Sequence, residues 1–293
     1  VLPNLPMPFE RITLIGTGLI GASVGLALRA NGFTGTITGW DNDPEQVRVA
    51  LERGAITQAA ASKEAGLQAA VAADVVLLAV PVFGILDWMQ QLAPLLKPGQ
   101  LVTDVGSTKL LITQTGQQLF NQGNTAAFLP GHPMAGKESG GAAIAEAALF
   151  QNAVWLFTSA EEAPAEVAVQ EWRAWVAKFG CRSRDLDAAR HDTLCAWVSH
   201  LPQMVSTALS ALLEDEFGDA PDLRAIGGRA LHEMTRLGAS PYSMWRDVAW
   251  SNTTPLADTL LALEQRLAHL RENLKTPELR EEFDKANHFR KLS

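Results

Sequence analysis

The chain has 293 residues, 47 % of them apolar, a net charge of −8 and a pI near 5.3. This length and apolar content suit two domains, each with a core of its own. Both halves are acidic, with 8 Lys/Arg against 11 Asp/Glu in residues 1–155 and 16 against 21 in the remainder, which argues against nucleic acid or an anionic membrane surface as partner.

Through the first half, short β-branched runs alternate with helical segments. Arg11–Ile15 predicts a strand, 19–31 a helix and Thr36–Trp40 a strand. Residues 44–53 predict a helix, with Asp43 as N-cap and Pro44 at its first position. A buried strand over 75–80 is closed by Pro81; helix 83–96, strand Leu101–Asp104, helix 109–121 and strands 126–129 and 153–158 follow. Such alternation indicates a parallel, doubly wound α/β sheet.

The small, acidic stretch 159–164 reads as a boundary, giving units 1–160 and 161–293. Beyond it come a helix over 166–179, a last strand over 180–185, and then almost only helix. Residues 190–217 are apolar on most faces and predict a long, central, buried helix. In 255–274, Leu256, Leu260, Leu263, Leu267 and Leu270 recur at helical spacing as a core or dimer stripe, and 277–289 is a charged final helix.

No apolar run reaches the ~18–20 residues of a membrane helix; 69–86 comes nearest and is interrupted by Asp74 and Pro81. Residues 1–10 show no basic and apolar signal pattern. Cys181 and Cys195 fall outside any CxxC or Cys/His ligand pattern, so a reduced, cytoplasmic chain without a metal site is expected.

Gly16-Thr17-Gly18-Leu19-Ile20-Gly21 is a GxGxxG turn between a strand and a helix. The first glycine makes the turn, the second lets a pyrophosphate approach, and the third lets helix and strand pack closely. The free N–H groups of the helix N-terminus favour that anion. Asp41 ends the second strand, 20 residues past Gly21. Its carboxylate can accept both ribose hydroxyls and would repel a 2′-phosphate, so NAD is favoured over NADP. Val80 and Pro81 end the fourth strand on the same carboxyl edge, and Ser107 follows the next one. Ser107 either caps the helix after it or hydrogen-bonds a catalytic group.

His132 follows strand 126–129 in a loop restricted by Gly131, Pro133 and Gly136. A neutral imidazole near a nicotinamide can take the proton of a substrate hydroxyl as hydride leaves the same carbon. A structural loop histidine is the alternative.

The segments GTGLIGAS, TDVGSTK, GHPMAGKESG, HDTLCAWVSHLPQ and MTRLGASPYSMWRD resemble the prephenate/arogenate dehydrogenase family in order and spacing, from about Arg11 to about His269. The resemblance implies a Rossmann domain followed by an all-α dimerisation domain, hence a homodimer. It implies NAD-dependent oxidative decarboxylation of prephenate to 4-hydroxyphenylpyruvate, of arogenate to tyrosine, or of both. By the same resemblance, His132 is the catalytic base and Ser107 the serine that orients it. Arg236 binds the ring carboxylate with a bidentate fork, and Glu138 stands at the active-site entrance. His200 is the histidine of the SHLP segment, with a core role as the alternative. Trp245 and Arg246 belong to a segment near the site that in this family can come from the partner subunit. His191 reads as structural, at a helix start. At Gln203 some prephenate-using relatives carry a histidine, which leaves the substrate side chain open.

Two other functions stay open. Another NAD(P)-dependent hydroxyacid dehydrogenase with a helical second domain would use a lysine on the central helix, and 190–217 contains none. A non-catalytic NAD-binding protein would leave His132 and Arg236 without a chemical duty.

Overall fold

The computed structural model describes residues 9–120, 123–158 and 167–292. Strands β1 (Arg11–Ile15), β2 (Thr36–Trp40), β3 (Gln58–Ala59), β4 (Val75–Leu78), β5 (Leu101–Asp104) and β6 (Ala127–Leu129) form one parallel sheet in the order β3-β2-β1-β4-β5-β6. Helices α1 (Leu19–Ala30), α2 (Pro44–Glu52), α3 (Lys63–Ala72), α4 (Val82–Leu92) and α5 (Leu110–Leu119) connect the strands. Segment 54–74, which carries no predicted element, holds β3 and α3; Ser62 caps α3 by accepting from the Ala65 N–H.

Every residue of β4 and β5 is buried, as a strand covered on both faces requires. Val75 and Leu77 join one core, Val76 and Leu78 the other. The strand order reverses between β1 and β4, and the carboxyl ends beside such a reversal open the crevice where these sheets bind ligands.

A second, three-stranded sheet holds β7 (Gly131–Pro133), β8 (Val154–Phe157) and β9 (Arg182–Asp185), with β7 antiparallel and β9 parallel to β8. The predicted loop at His132 therefore begins as a strand. Only Pro130 separates β6 from β7, so His132 lies just beyond the carboxyl end of β6. Gly131 is dictated by close approach: a Cβ there would lie 2.8 Å from Trp155 Nε1 and 2.9 Å from the Asp104 carbonyl oxygen.

Helix α6 (Val167–Lys178) buries Trp172, Trp175 and Val176 in the first core, and β9 completes the pairing of β8. Both elements need partners from the first unit. The change to an all-helical chain therefore falls after Asp185 rather than at 160/161; residues 159–164 themselves lie outside the described residues.

The helical unit contains α7 (Ala188–Cys195), α8 (Leu201–Phe217), α9 (Pro221–Ile226), α10 (Arg229–Thr235), α11 (Tyr242–Ser251), α12 (Thr253–Glu272) and α13 (Glu278–Leu292). The single helix expected over 190–217 is α7 and α8, joined by a wider π turn at Ala196–His200. Pro202 explains the break. It offers no N–H, and its ring presses on the carbonyl four residues back; an i→i+5 turn just before it absorbs the misfit. The helix is also not buried all round. Gln203 and Ser206 are covered, while Leu212 and Phe217 are half exposed. Within one chain only one face of α8 meets other helices, and in the leucine stripe of α12 Leu260 and Leu267 are exposed and Leu263 and Leu270 only partly covered.

Two carboxylates of the helical unit dock it to the sheet. Asp192 accepts from the Lys109 and Leu110 N–H groups (2.6 and 2.9 Å), and Asp247 from the Phe83 N–H (3.4 Å). They cap α5 and α4, whose N-termini have no side-chain cap of their own. Caps of this kind contribute about 0.5–2 kcal/mol each. They seat α7 and α11 against the carboxyl edge of the sheet. Among the described residues no helix is long and apolar enough to cross a membrane.

Candidate active site

The glycine turn has the form a dinucleotide requires. Gly16 has φ +96°, and a Cβ on it would lie 2.2 Å from the Ala79 carbonyl oxygen; one on Gly21 would lie 2.0 Å from that of Gly16. A Cβ on Gly18 would meet nothing within 4 Å, and no side chain caps α1 at Gly18. The helix thus presents unpaired N–H groups over open space. Thr17 Oγ1 is buried without a partner. Asp41 accepts from the Thr17 and Asp43 N–H groups (2.8 and 3.0 Å), which fixes its carboxylate at the end of β2 with lone pairs to spare. The next arginine, Arg48, is held between Glu45 and Glu52, away from duty as a 2′-phosphate clamp. Leu19 and Ile20 begin α1, and Val80 and Pro81 flank the crevice from the end of β4. These residues fit NAD.

Across the crevice, His132 is buried and its Nδ1 lies 2.9 Å from Nε2 of His191. His191 Nδ1 lies 2.8 Å from Asp192 Oδ1. A carboxylate only accepts, so His191 carries its proton on Nδ1 and offers a lone pair on Nε2. His132 must then donate from Nδ1, which leaves its own Nε2 as the basic nitrogen. Burial, and then the charges of His191, Lys109 and His200, hold the His132 pKa well below 6.5, so the ring is neutral at neutral pH. Burial lowers His191 as well, against the opposing pull of Asp192.

The strand carrying His132 is pinned from below by Asp104. This carboxylate accepts from the Gly131 N–H (3.1 Å) and the Gly106 N–H (2.7 Å) and forms a fully buried ion pair with Lys109. Desolvation lowers the Lys109 pKa, and Asp104 opposes it.

Ser107 lies on the same edge, partly buried. The capping role open to it in the sequence is filled instead by Asp192, whose two oxygens reach both leading N–H groups of α5. His132 Nδ1 is occupied by His191 rather than by Ser107. Among the described residues Ser107 makes no side-chain hydrogen bond.

His200 is buried, accepts at Nδ1 from Asn252 Nδ2 (3.2 Å), and stacks edge-on to Trp245 of the same chain at 5.9 Å. Burial pushes its pKa down to about 4. Gln203 is buried and spends its amide nitrogen on the Leu237 carbonyl (2.7 Å) and Thr207 Oγ1 (3.1 Å). Gln203 thereby holds the 3-10 turn Arg236–Ala239. Arg236, half exposed at the head of that turn, forms an ion pair with Glu138 from the loop after β7. The two units meet there through one cation and one anion.

The family profile described as "Prephenate dehydrogenase, nucleotide-binding domain" matches residues 24–184, and "Prephenate dehydrogenase, dimerization domain" matches 187–288. The chain belongs to the prephenate dehydrogenase family. It is 33 % identical over 264 residues to a prephenate dehydrogenase of Lactococcus lactis subsp. cremoris, covering 90 % of this chain and 70 % of that one. Among solved structures it resembles prephenate dehydrogenase from Aquifex aeolicus in complex with hydroxyphenyl propionate and NAD+ (TM-score 0.86, 26 % identity, 98 % of this chain and 99 % of that one). It also resembles Synechocystis arogenate dehydrogenase (TM-score 0.74, 30 % identity, 96 % and 99 %).

For a member of this family, sequence reasoning missed three supports of the site. In the sequence His191 reads as a structural residue at a helix start, yet it is the hydrogen-bond partner of His132; the adjacent Asp192 is the available signal. Asp104 and Lys109, a charged pair bracketing the turn after an apolar strand, were not singled out. Cys195, set aside as outside any ligand pattern, lies one helical turn after His191 with Sγ 3.5 Å from its Nε2.

Proposed function

We propose that the chain oxidatively decarboxylates prephenate or arogenate with NAD, and that His132 Nε2 is the base. The observation that carries this reading is the Asp192–His191–His132 chain, which sets the base nitrogen's tautomer at the carboxyl edge of a dinucleotide-binding sheet. NAD, when bound at Gly16–Gly21 and Asp41, supplies the acceptor for the hydride of ring C4. His132 takes the C4 hydroxyl proton as that hydride leaves, and Ser107 steadies the hydroxyl. The positive charge that develops on the imidazole is shared toward His191 and Asp192, as in a serine-protease triad. The dienone then breaks its bond to the ring carboxylate, CO2 departs, and aromatisation makes the step effectively irreversible.

Arg236 orients that carboxylate. To do so it exchanges Glu138 for the substrate, one carboxylate for another, so the ion pair is a closed form of the binding site. Gln203 has its amide nitrogen committed, and its carbonyl oxygen remains to meet the ligand. A carbonyl accepts from an ammonium and offers nothing to a keto group, which favours the arogenate side chain. His200 and Trp245 shape the apolar wall beside it.

The open apolar faces of α8 and α12, in a region matching a dimerisation profile, support a homodimer. The unpaired thiols Cys181 and Cys195 support a cytoplasmic setting. NADH formation with prephenate and with arogenate tests the function. The expected result is turnover with a higher kcat/KM for arogenate. No turnover with either substrate overturns the reading, and a clear preference for prephenate overturns the role given to Gln203.

A further inference from the structure

The donors that surround His191 Nε2 do more than orient the base. His132, His191 and Cys195 are all buried, and one ligating atom from each lies within 4.8 Å of the others. His132 Nδ1 is 2.9 Å and Cys195 Sγ 3.5 Å from His191 Nε2. For zinc bonded to nitrogen at 2.0–2.1 Å and to thiolate sulfur at 2.3 Å, tetrahedral geometry sets the nitrogen–nitrogen separation at ~3.3 Å and the nitrogen–sulfur separation at ~3.6 Å. The sulfur already stands at that separation from His191 Nε2 and lies within 4.8 Å of the ligating nitrogen of His132, and the two rings need to part by only a few tenths of an ångström.

We infer that His132, His191 and Cys195 form a binding site for a borderline-soft divalent cation, zinc above all, and that its occupation switches the enzyme off. The ligand chemistry is two imidazoles and a thiolate, the set that zinc favours over magnesium or calcium. The outer partner is in place too. Asp192 holds the Nδ1 proton of His191 and turns its Nε2 lone pair toward the centre, as carboxylates do behind metal-binding histidines. The charges balance: a dication meets the Cys195 thiolate and the Asp192 carboxylate, while Lys109 and Asp104 neutralise one another.

Protons balance as well. His191 keeps its tautomer. His132 yields Nδ1 to the metal and carries its single proton on Nε2, where it can no longer accept one from a substrate. The Cys195 thiol gives up its proton when its sulfur bonds the metal, so binding releases one proton per metal ion. The inhibitory half of the proposal rests on His132 as the base; the binding half does not.

The test is titration of the reduced, chelator-washed protein with zinc chloride against a chromophoric zinc indicator, with NADH formation followed in parallel. The expected result is one zinc per chain, one proton released per zinc, and loss of turnover at the same midpoint, restored by EDTA. Cys195→Ser and Cys195→Ala should each bind zinc at least ~10–100-fold more weakly. Cobalt(II) in the wild-type protein should show a thiolate-to-cobalt charge-transfer band that is missing from both variants, a readout independent of turnover. Failure to bind one zinc per chain overturns the proposal. So does equal affinity in the cysteine variants, absence of the cobalt band, or stoichiometric binding that leaves turnover intact. A chain that binds zinc through Cys195 but turns over neither substrate overturns the proposed function and leaves the metal site standing.

Discussion

The two units of this molecule are finished to different degrees. In the nucleotide-binding unit both faces of the sheet are covered, and residues such as Leu14, Leu28, Val75 and Leu77 are wholly removed from water. Among the described residues of the helical unit the buried apolar ones after Leu186 are Ala188, Cys195, Ala196, Val248 and Leu256, while Ile226 (80 % exposed), Tyr242 (75 %) and Trp250 (67 %) stand open. The first unit holds itself together. The second is held by its dock onto the sheet and has surface left for assembly. The active site divides along the same line: local backbone builds the cofactor end, and contacts between units build the catalytic end. Changes at the catalytic end should then alter chemistry or the joint, and leave cofactor affinity alone.

The sharpest attempt to break this division is His132→Asn. It removes the nitrogen proposed as the base and leaves the glycine turn untouched. The expected outcome is a fall in kcat of ~10²–10⁴-fold, the range for loss of a general base, with NAD affinity by fluorescence titration unchanged. A comparable loss of NAD binding would show that the two ends are not separate. Next comes Lys109→Met, at the joint itself. It strands the Asp104 carboxylate at a site with no solvent exposure. Removing one partner of a buried pair costs about 3–5 kcal/mol; here the two N–H groups still bonded to Asp104 hold the loss to the lower end, read as a reduced denaturation midpoint.

The same division decides what could be read without a structure. The glycine turn and Asp41 were legible because their partners lie in the next few residues or at the end of the next strand. The α2 cap by Asp43 was legible for the same reason. His191 was not, because its partner is 59 positions away and only the docking of α7 onto the sheet joins them. The Arg236–Glu138 pair bridges 98 positions, so two residues assigned separate roles by sequence turn out to occupy each other. The helical character of 190–217 was apparent from apolar content, but neither its π turn before Pro202 nor its partial burial was. An apolar face reads the same whether its cover comes from the same chain or from another.

A smaller effect concerns pH. Because the His132 pKa lies well below 6.5, kcat/KM should stay level as pH falls through 6.5 and decline only further down. Stability, by contrast, does change over that window. His200 titrates near 4 in the folded chain and at the ordinary 6.5 when unfolded, so below 6.5 the unfolded state binds more protons. Unfolding free energy should therefore fall as pH drops from about 6.5 toward 4, while the surviving enzyme remains active. An acid limb in kcat/KM centred at 6.5 would place the base elsewhere.

The smallest effect tests whether the closed unit is as complete as it looks. Glu171, on α6, is 7 % exposed, and both its carboxylate oxygens are buried without a partner among the described residues. Burial first, and then the charge of Asp74, pushes its pKa from 4.5 up to about 7. The folded chain thus holds a proton that the unfolded chain has released between these values. This contribution is fully present below 4.5 and is lost as pH rises through 7. Above that, a bare carboxylate must sit in the core or the core must open to hydrate it. Glu171→Gln keeps the shape and removes the charge. It should be near neutral at pH 4.5 and more stable than wild type at pH 8 by about 1–3 kcal/mol, the range for relief of a buried uncompensated polar group. In a unit of this size that is a rise of roughly 2–10 °C in Tm. The reading is the difference between the two pH values in a thermal melt. An equal shift at both would mean that Glu171 is already ionised in the folded core and has found a partner.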